Sequence, residues 1–416
     1  MNAAVVAASG RGSGGILLFS VFAWTISNLD QSLFGYAVPG MIADFHIGLD
    51  AVGAILSVSF AAAAGLVVLA GLAADRYGRR YTLAALLAAS ALFVGLHAFA
   101  TTVLLLALFR ALAFGLAAGI APITATYVAE AVPARHRGVL MGVLQCGYPL
   151  GWFLASLIAA PLLEARGWRS IFLVGFAVVP LAVLIARYLP ESHRYARVAA
   201  TRAPESPKAL DFRLLRELFS HRFRRRSLAC LVLFFAFGCA YAGTAFYFPT
   251  FFMTIRGYTP AQAAALVGLS NGIAVLGYLA AAAVGEYAWT RRNTYALWCA
   301  LGAVALVGLL WLPRERWEDL ALFALTGAFF YGSNAVVGTL LTELYPTRVR
   351  ATAYAVCGSA PLTVGFALYP SVVPVVVAAI GWQRALSVAI VPLLLASAAA
   401  ALWLPNVRSG EEVADA

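Results

Sequence analysis

About twelve runs of mostly apolar residues, each long enough to cross a bilayer, decide the solvent of this chain. A helix rises about 1.5 Å per residue, so roughly 20 apolar residues cross the hydrocarbon core. The runs fall near 15–38, 49–70, 81–99, 103–127, 138–160 and 171–189, then near 227–252, 261–285, 294–312, 319–341, 351–377 and 385–404. Hydrophobic residues make up 62% of the chain and charged residues only 11%, against roughly 25% charged in a soluble domain. The predicted fold class is therefore all-α integral membrane. Gly, Ala and Ser recur through the runs, which suits close helix packing where no hydrophobic drive exists between helices.

The chain also repeats itself. Glu130-Ala-Val-Pro133-Ala-Arg-His-Arg137 and Glu343-Leu-Tyr-Pro346-Thr-Arg-Val-Arg350 are both E-x-x-P-x-x-x-R, 213 residues apart (343 − 130). Gly119 maps to Gly332 at the same shift, and Gly167-Trp168 to Gly381-Trp382 at a shift of 214. Such a repeat inside apolar sequence predicts a duplicated membrane protein of two pseudo-symmetric six-helix halves that enclose a site between them. The expected division is a first bundle over 1–189, a linker over 190–226, a second bundle over 227–404 and a tail over 405–416. Leu214, Leu215, Leu218 and Phe219 have helical spacing, so part of the linker reads either as a surface helix or as a solvated connection.

The net charge of +11 would suggest nucleic acid in a soluble protein. With both termini placed inside, all but seven of the 29 Lys and Arg residues fall in inside loops, the linker or the tails. The exceptions are Arg110, Arg166, Arg169, Arg256, Arg314, Arg316 and Arg384. That bias is the positive-inside signature, so the charge encodes topology and excludes a nucleic-acid partner. The five cysteines lie in apolar runs without metal-ligand spacing, which supports neither a disulfide framework nor a zinc site. The apolar stretch after Arg11 reads as a span rather than a cleaved leader. Heavy use of Arg over Lys suggests a GC-rich bacterium, hence the inner or plasma membrane.

Two charges stand inside spans: Asp30 in the first and Arg110 in the fourth. The first helix runs outward and the fourth inward, so both fall at similar depth. A lone charge there costs several kcal/mol, so a partner or water is expected. One reading is an Asp30–Arg110 pair lining a cavity, with Asp30 taking and releasing a proton. The others are a structural ion pair, or Arg110 reaching to the interface. Gln31, beside Asp30, is a candidate substrate contact. In the fifth span Pro149 is expected to break the helix where a ligand meets free backbone, and Gln145 and Tyr148 are candidate contacts. Tyr241, Tyr247, Asn271, Tyr331 and Asn334 add polar groups to the second half, each open to either a ligand contact or an interhelical hydrogen bond. No spacing forms a hydrolytic triad, a metal cluster or a phosphate-cradling loop, so no enzyme activity and no cofactor are expected.

The loop between the second and third runs reads Gly71-Leu-Ala-Ala-Asp75-Arg76-Tyr-Gly78-Arg79-Arg80. Gly71 permits close helix approach, Gly78 a tight turn, and Asp75 suits a helix N-terminus. This G-x-x-x-D-R-x-G-R-R string resembles the signature of the major facilitator superfamily. The resemblance implies that the loop is a latch between halves and that Glu130, Arg137, Glu343 and Arg350 belong to gate networks. The matching loop of the second half, Gly285-Glu286-Tyr-Ala-Trp-Thr-Arg291-Arg292, keeps an acid and paired arginines at altered spacing. Asp30…Gly35-Tyr36…Pro39 and Arg110…Gly115…Gly119…Pro122 resemble the aromatic acid:proton symporter branch. Gln145-Cys-Gly147-Tyr148-Pro149-Leu-Gly151 fits that branch and the sialate and monocarboxylate symporters. The chain departs from the aromatic-acid branch at Ser27, where that branch has an aspartate, and at Gly358-Ser-Ala-Pro361, which lacks an arginine.

The resemblance implies alternating access: a monomeric, proton-coupled symporter of a small organic anion, with a small carboxylate, protons and lipid as its partners. Arg110 offers a permanently charged, bidentate contact for the carboxylate. A proton-antiporting exporter would have the same fold, and a non-transporting membrane sensor is a third possibility that the short tail disfavours.

Overall fold

The computed structural model describes residues 3–131, 137–189 and 216–407. Every regular element among them is helical. Chain order gives α1 (Ala3–Phe45), α2 (Leu49–Tyr77), α3 (Arg79–Leu96), α4 (Val103–Ala118), α5 (Ile120–Ala131), α6 (Arg137–Gln145), α7 (Gly147–Arg166), α8 (Trp168–Phe172) and α9 (Val174–Tyr188). It continues with α10 (Arg224–Ala242), α11 (Phe248–Arg256), α12 (Pro260–Ala283), α13 (Arg291–Trp311), α14 (Arg316–Phe329), α15 (Asn334–Glu343), α16 (Thr347–Ala353), α17 (Ala360–Ile380) and α18 (Trp382–Leu402). Eleven spans among the described residues are long and apolar enough to cross a membrane, and they match the second to twelfth runs of the sequence. The first run lies in α1, a 43-residue helix whose middle carries Asn28, Asp30 and Gln31.

The chain forms two compact units. The first holds residues 1–202 with 249–268, the second 203–248 with 269–416. In the first unit α1 packs on α7 and α3 on α9. In the second, α10 packs on α17 and α13 on α18. These are the same pairs by position in each half. Glycine makes the first pairing possible. A Cβ on Gly151 of α7 would come 2.7 Å from the backbone N of Leu29 and the carbonyl of Thr25, so α1 and α7 touch backbone to backbone. Gly365 of α17, 214 positions on (365 − 151), does the same against α10, where a Cβ would lie 2.8 Å from Cys239 N and Phe235 O.

The spans are interrupted at matching places. The fourth span breaks at Gly119, between α4 and α5. Its counterpart breaks at the Tyr331–Ser333 turn, which contains Gly332. The fifth span breaks at Cys146, between α6 and α7. Its counterpart passes through a π-turn over Tyr354–Ser359. Prolines explain the two breaks of the first half: a proline lacks the N–H that the carbonyl four residues earlier requires. Pro122 therefore frees the Ala118 carbonyl and Pro149 the Gln145 carbonyl. The fifth-span break lies three residues before Pro149 because the lost bond belongs to the preceding turn. Gly167 and Gly381, with φ of 74° and 80°, open α8 and α18, a left-handed conformation that favours glycine.

Candidate functional site

Asp30 projects from the middle of α1 into the interior of the first unit, where it is 2% exposed. Its polar neighbours on the helix spend their side chains on backbone. Ser27 donates to the Ala117 carbonyl at 3.3 Å, Asn28 to Trp24 at 2.8 Å and Ser32 to Leu29 at 2.8 Å. Asp30 differs: both carboxylate oxygens are buried without a hydrogen-bond partner among the described residues. Arg110 comes from α4 and is also 2% exposed, so it does not reach out to an interface. Its guanidinium carbon lies 4.3 Å from the ring centre of Phe34 and 5.1 Å from that of Phe114, faces that attract a cation by about 2 kcal/mol when desolvated. Asp30 and Arg110 are thus electrostatic neighbours, with no hydrogen bond reaching the carboxylate.

A third titratable group joins them that the sequence analysis did not single out. His97, at the end of α3, is 1% exposed. Its ring stacks on Phe172 at 4.8 Å and meets Phe34 edge-on at 6.2 Å. Nδ1 lies 2.7 Å from the Phe93 carbonyl. A carbonyl only accepts, so Nδ1 carries the proton and Nε2 presents a lone pair. Nε2 is buried with no partner among the described residues. Its sequence signal was a lone histidine at the end of the third run.

Among the other first-unit candidates, Gln31 is 7% and Tyr148 4% exposed, so both are enclosed in the bundle. The Tyr148 ring lies 6.3 Å from Trp152, whose carbonyl accepts from the Tyr36 hydroxyl at 3.0 Å. Gln145 is half-buried and ends α6, beside the carbonyl that Pro149 frees. A set of contacts the sequence did not reveal pins the end of α1. Asp44 accepts from Trp168 Nε1 at 3.2 Å and forms an ion pair with Arg169. Arg169 also donates to the Ala100 carbonyl at 3.1 Å.

In the second unit the candidate tyrosines are buried. Tyr247 is 1% exposed and donates at 2.6 Å to the Pro370 carbonyl. Residue 374 is a proline, so that carbonyl has no helical donor and the hydroxyl replaces it. Tyr331 shares a 2.9 Å hydrogen bond with Thr244 and packs against Tyr241 at 5.6 Å. Asn271 is 4% exposed, while Asn334 is half-buried and begins α15 right after the fourth-span break.

The loop candidates separate. Gly78 has φ of 93° and makes the expected tight turn between α2 and α3. Gly71 does not bring helices together: a Cβ there would meet nothing within 4 Å, because this stretch of α2 faces open space. Arg76 lies over the Tyr77 ring at 5.3 Å. Arg79 is half-buried. Arg80 lies 4.4 Å from the Tyr81 ring and donates to the Leu189 carbonyl at 3.5 Å. The side chains of Asp75, Glu130 and Arg137 lie outside the described residues.

The second-half loop is built differently from the first. A π-turn over Val284–Ala288 presents Glu286 to Arg291, and Arg291 forms a second ion pair with Glu343. The three side chains are 8%, 6% and 18% exposed. The E-x-x-P-x-x-x-R segment thus supplies Glu343 to the Glu286–Arg291 pair, while Arg350 donates at 3.2 Å to the Tyr345 carbonyl and braces its own turn.

Comparison with known proteins agrees with this architecture. The Major Facilitator Superfamily model matches residues 20–356, and the chain belongs to that family. It is a multi-pass membrane transporter, not an enzyme. It is similar to the cis,cis-muconate transport protein of Acinetobacter baylyi (28% identical over 369 residues, 84% of this chain and 86% of that one). It is equally similar to the gallate transporter of Pseudomonas putida (28% over 366 residues, 81% and 80%). Its fold matches the crystal structure of a bacterial homologue of the human lysosomal transporter Spinster, inward-facing and unoccupied, with a TM-score of 0.65 at 17% identity over 94% of this chain and 95% of that one.

Proposed function

We propose that this chain is a proton-coupled symporter of small organic anions, aromatic acids or other carboxylates, working by alternating access. The observation that carries the reading is Asp30: a carboxyl group buried beside Arg110 with neither oxygen hydrogen-bonded among the described residues. A carboxylate left so is costly, and taking a proton removes that cost. Arg110 keeps its charge in every state and supplies the balancing field. The relatives that carry muconate and gallate support the substrate class, since both ligands are carboxylates.

In this reading Asp30 exchanges protons and the substrate meets polar groups beside interrupted helices. Gln145 and Asn334 are the best placed, being half-buried beside such breaks; Gln31, Tyr148 and Asn271 are enclosed in this conformation. Arg110 is shut between two phenyl rings here, so it takes part in binding only where the bundle opens toward it. Glu286, Arg291 and Glu343 form a gate cluster, and the Gly71–Arg80 loop, with Glu130 and Arg137, the corresponding latch. The arginine distribution supports cytoplasmic termini in an inner or plasma membrane.

The test is uptake of labelled gallate and cis,cis-muconate into proteoliposomes under imposed pH gradients. Symport predicts accumulation when the outside is acidic. Accumulation only when the lumen is acidic would make the protein a proton-antiporting exporter instead.

A further inference from the structure

The Asp30–Arg110 neighbourhood contains one more acceptor than the proton cycle described above uses. His97 Nε2 bears a lone pair, because Nδ1 is committed as a donor to the Phe93 carbonyl at 2.7 Å. That lone pair is buried and unpartnered among the described residues. An unpaired acceptor at 1% exposure carries a desolvation cost, so a conformation that supplies a donor is favoured.

The donor is close at hand. Arg110 lies 4.3 Å above Phe34, and the same Phe34 ring meets the His97 ring edge-on at 6.2 Å. The guanidinium and the imidazole therefore flank one phenyl group, within electrostatic range of each other. Two more rings hold the imidazole in place: Phe172 stacks on it at 4.8 Å and Phe109 packs against it at 6.3 Å. Such a ring cannot swing far. Arg110, held by two phenyl faces but on a longer stem, is the partner that can turn.

We propose that His97 is a positioning residue for Arg110 in the proton-loaded state. This rests on Asp30 being the proton site. While Asp30 is charged, the carboxylate holds the guanidinium field. When Asp30 takes a proton, that counter-charge vanishes, and an Arg110 N–H turns to the Nε2 lone pair of His97. The histidine stays neutral throughout; its part is to accept a hydrogen bond in one of two states. It thereby lowers the free energy of the protonated form and helps set the pH at which Asp30 loads. Among the described charged groups on α1, α4 and α8, Arg110 acts on the imidazole electrostatically, and Arg110 in turn acts on Asp30. Asp44 and Arg169 are spent on each other and on Trp168 and the Ala100 carbonyl, which leaves Asp30 and Arg110 as the pair that His97 addresses.

The direction of the effect follows. Without the acceptor, the protonated state loses a hydrogen bond to a charged donor, worth about tenfold or more in an equilibrium. Asp30 then holds its proton less tightly and loads only at lower pH.

Infrared titration of purified protein reads this without any substrate. The protonated-carboxyl band that disappears in Asp30→Asn identifies Asp30. In His97→Phe, which keeps the ring stack but has no acceptor, the midpoint of that band should move acidic by about one pH unit, tenfold in proton affinity. His97→Gln retains an acceptor and should restore most of the shift. His97→Leu gives the same reading as the phenyl variant if that one is not recovered. An unmoved midpoint with the Asp30 band still titrating overturns the role of His97 and leaves Asp30 as the proton site. A spectrum in which Asp30→Asn removes no titrating band overturns both.

Discussion

Replacing Arg291 with glutamine should destabilise the protein far more than replacing Glu343, although the two residues share one ion pair. The reason lies in what each change leaves behind. The Arg291 side chain is 6% exposed and pairs with both Glu286, at 8%, and Glu343, at 18%. Removing it strands two carboxylates close together, and a buried pair broken from one side costs about 3–5 kcal/mol. Removing Glu343 leaves the Arg291–Glu286 pair intact and forfeits one partly exposed contact, about 1 kcal/mol. A change of 1 kcal/mol moves the melting temperature of a unit this size by about 2–4 °C, so Arg291→Gln should lower it by on the order of 10 °C and Glu343→Gln by about 3 °C. The five free cysteines are all buried, so a thiol-reactive fluorophore reports unfolding in detergent directly. The triple variant Arg291→Gln, Glu286→Gln, Glu343→Gln should recover part of the loss, since no uncompensated charge remains. The reasoning fails if Arg291→Gln is no less stable than Glu343→Gln, or if the triple variant is the least stable of all.

Two glycines should separate by the same thermal assay. Gly151→Ala places a methyl 2.7 Å from α1 backbone atoms and should cost about 1–3 kcal/mol. Gly71→Ala meets open space and, inside a helix, should be neutral or stabilising by up to about 1 kcal/mol; equal losses at the two sites would contradict the packing described. Tyr247→Phe removes the donor that serves the Pro370 carbonyl and should cost about 1–3 kcal/mol. Its KM for a transported carboxylate should stay within twofold of wild type, and a much larger rise would mark Tyr247 as a substrate contact.

The spans were legible because hydrocarbon imposes length and composition directly. The repeat was legible because glycines and prolines mark backbone events that recur: Gly119 and Gly332 both sit at breaks in the fourth spans, and Gly167 and Gly381 both open the sixth. The fifth-span break was expected at Pro149 and falls at Cys146, since a proline disturbs the turn before it. Gly71 was expected at a close helix contact and faces open space, because a glycine inside a helix says nothing of its neighbours until the helix is packed. The nearness of Asp30 and Arg110 is what counting along two helices of opposite direction suggests. His97 and Asp44 escaped notice because neither belongs to a spacing pattern. Glu343 was grouped with Arg350 by sequence proximity, whereas its buried partner, Arg291, arrives from the preceding loop by tertiary packing.

The central claim is that Asp30 carries the coupled proton. Its most direct test compares wild type with Asp30→Asn in proteoliposomes, reading proton-driven accumulation of a labelled carboxylate beside substrate counterflow without a gradient. Asparagine keeps the shape and removes the titration, so accumulation should vanish while counterflow persists. Accumulation at the wild-type level in Asp30→Asn would show that the proton travels elsewhere.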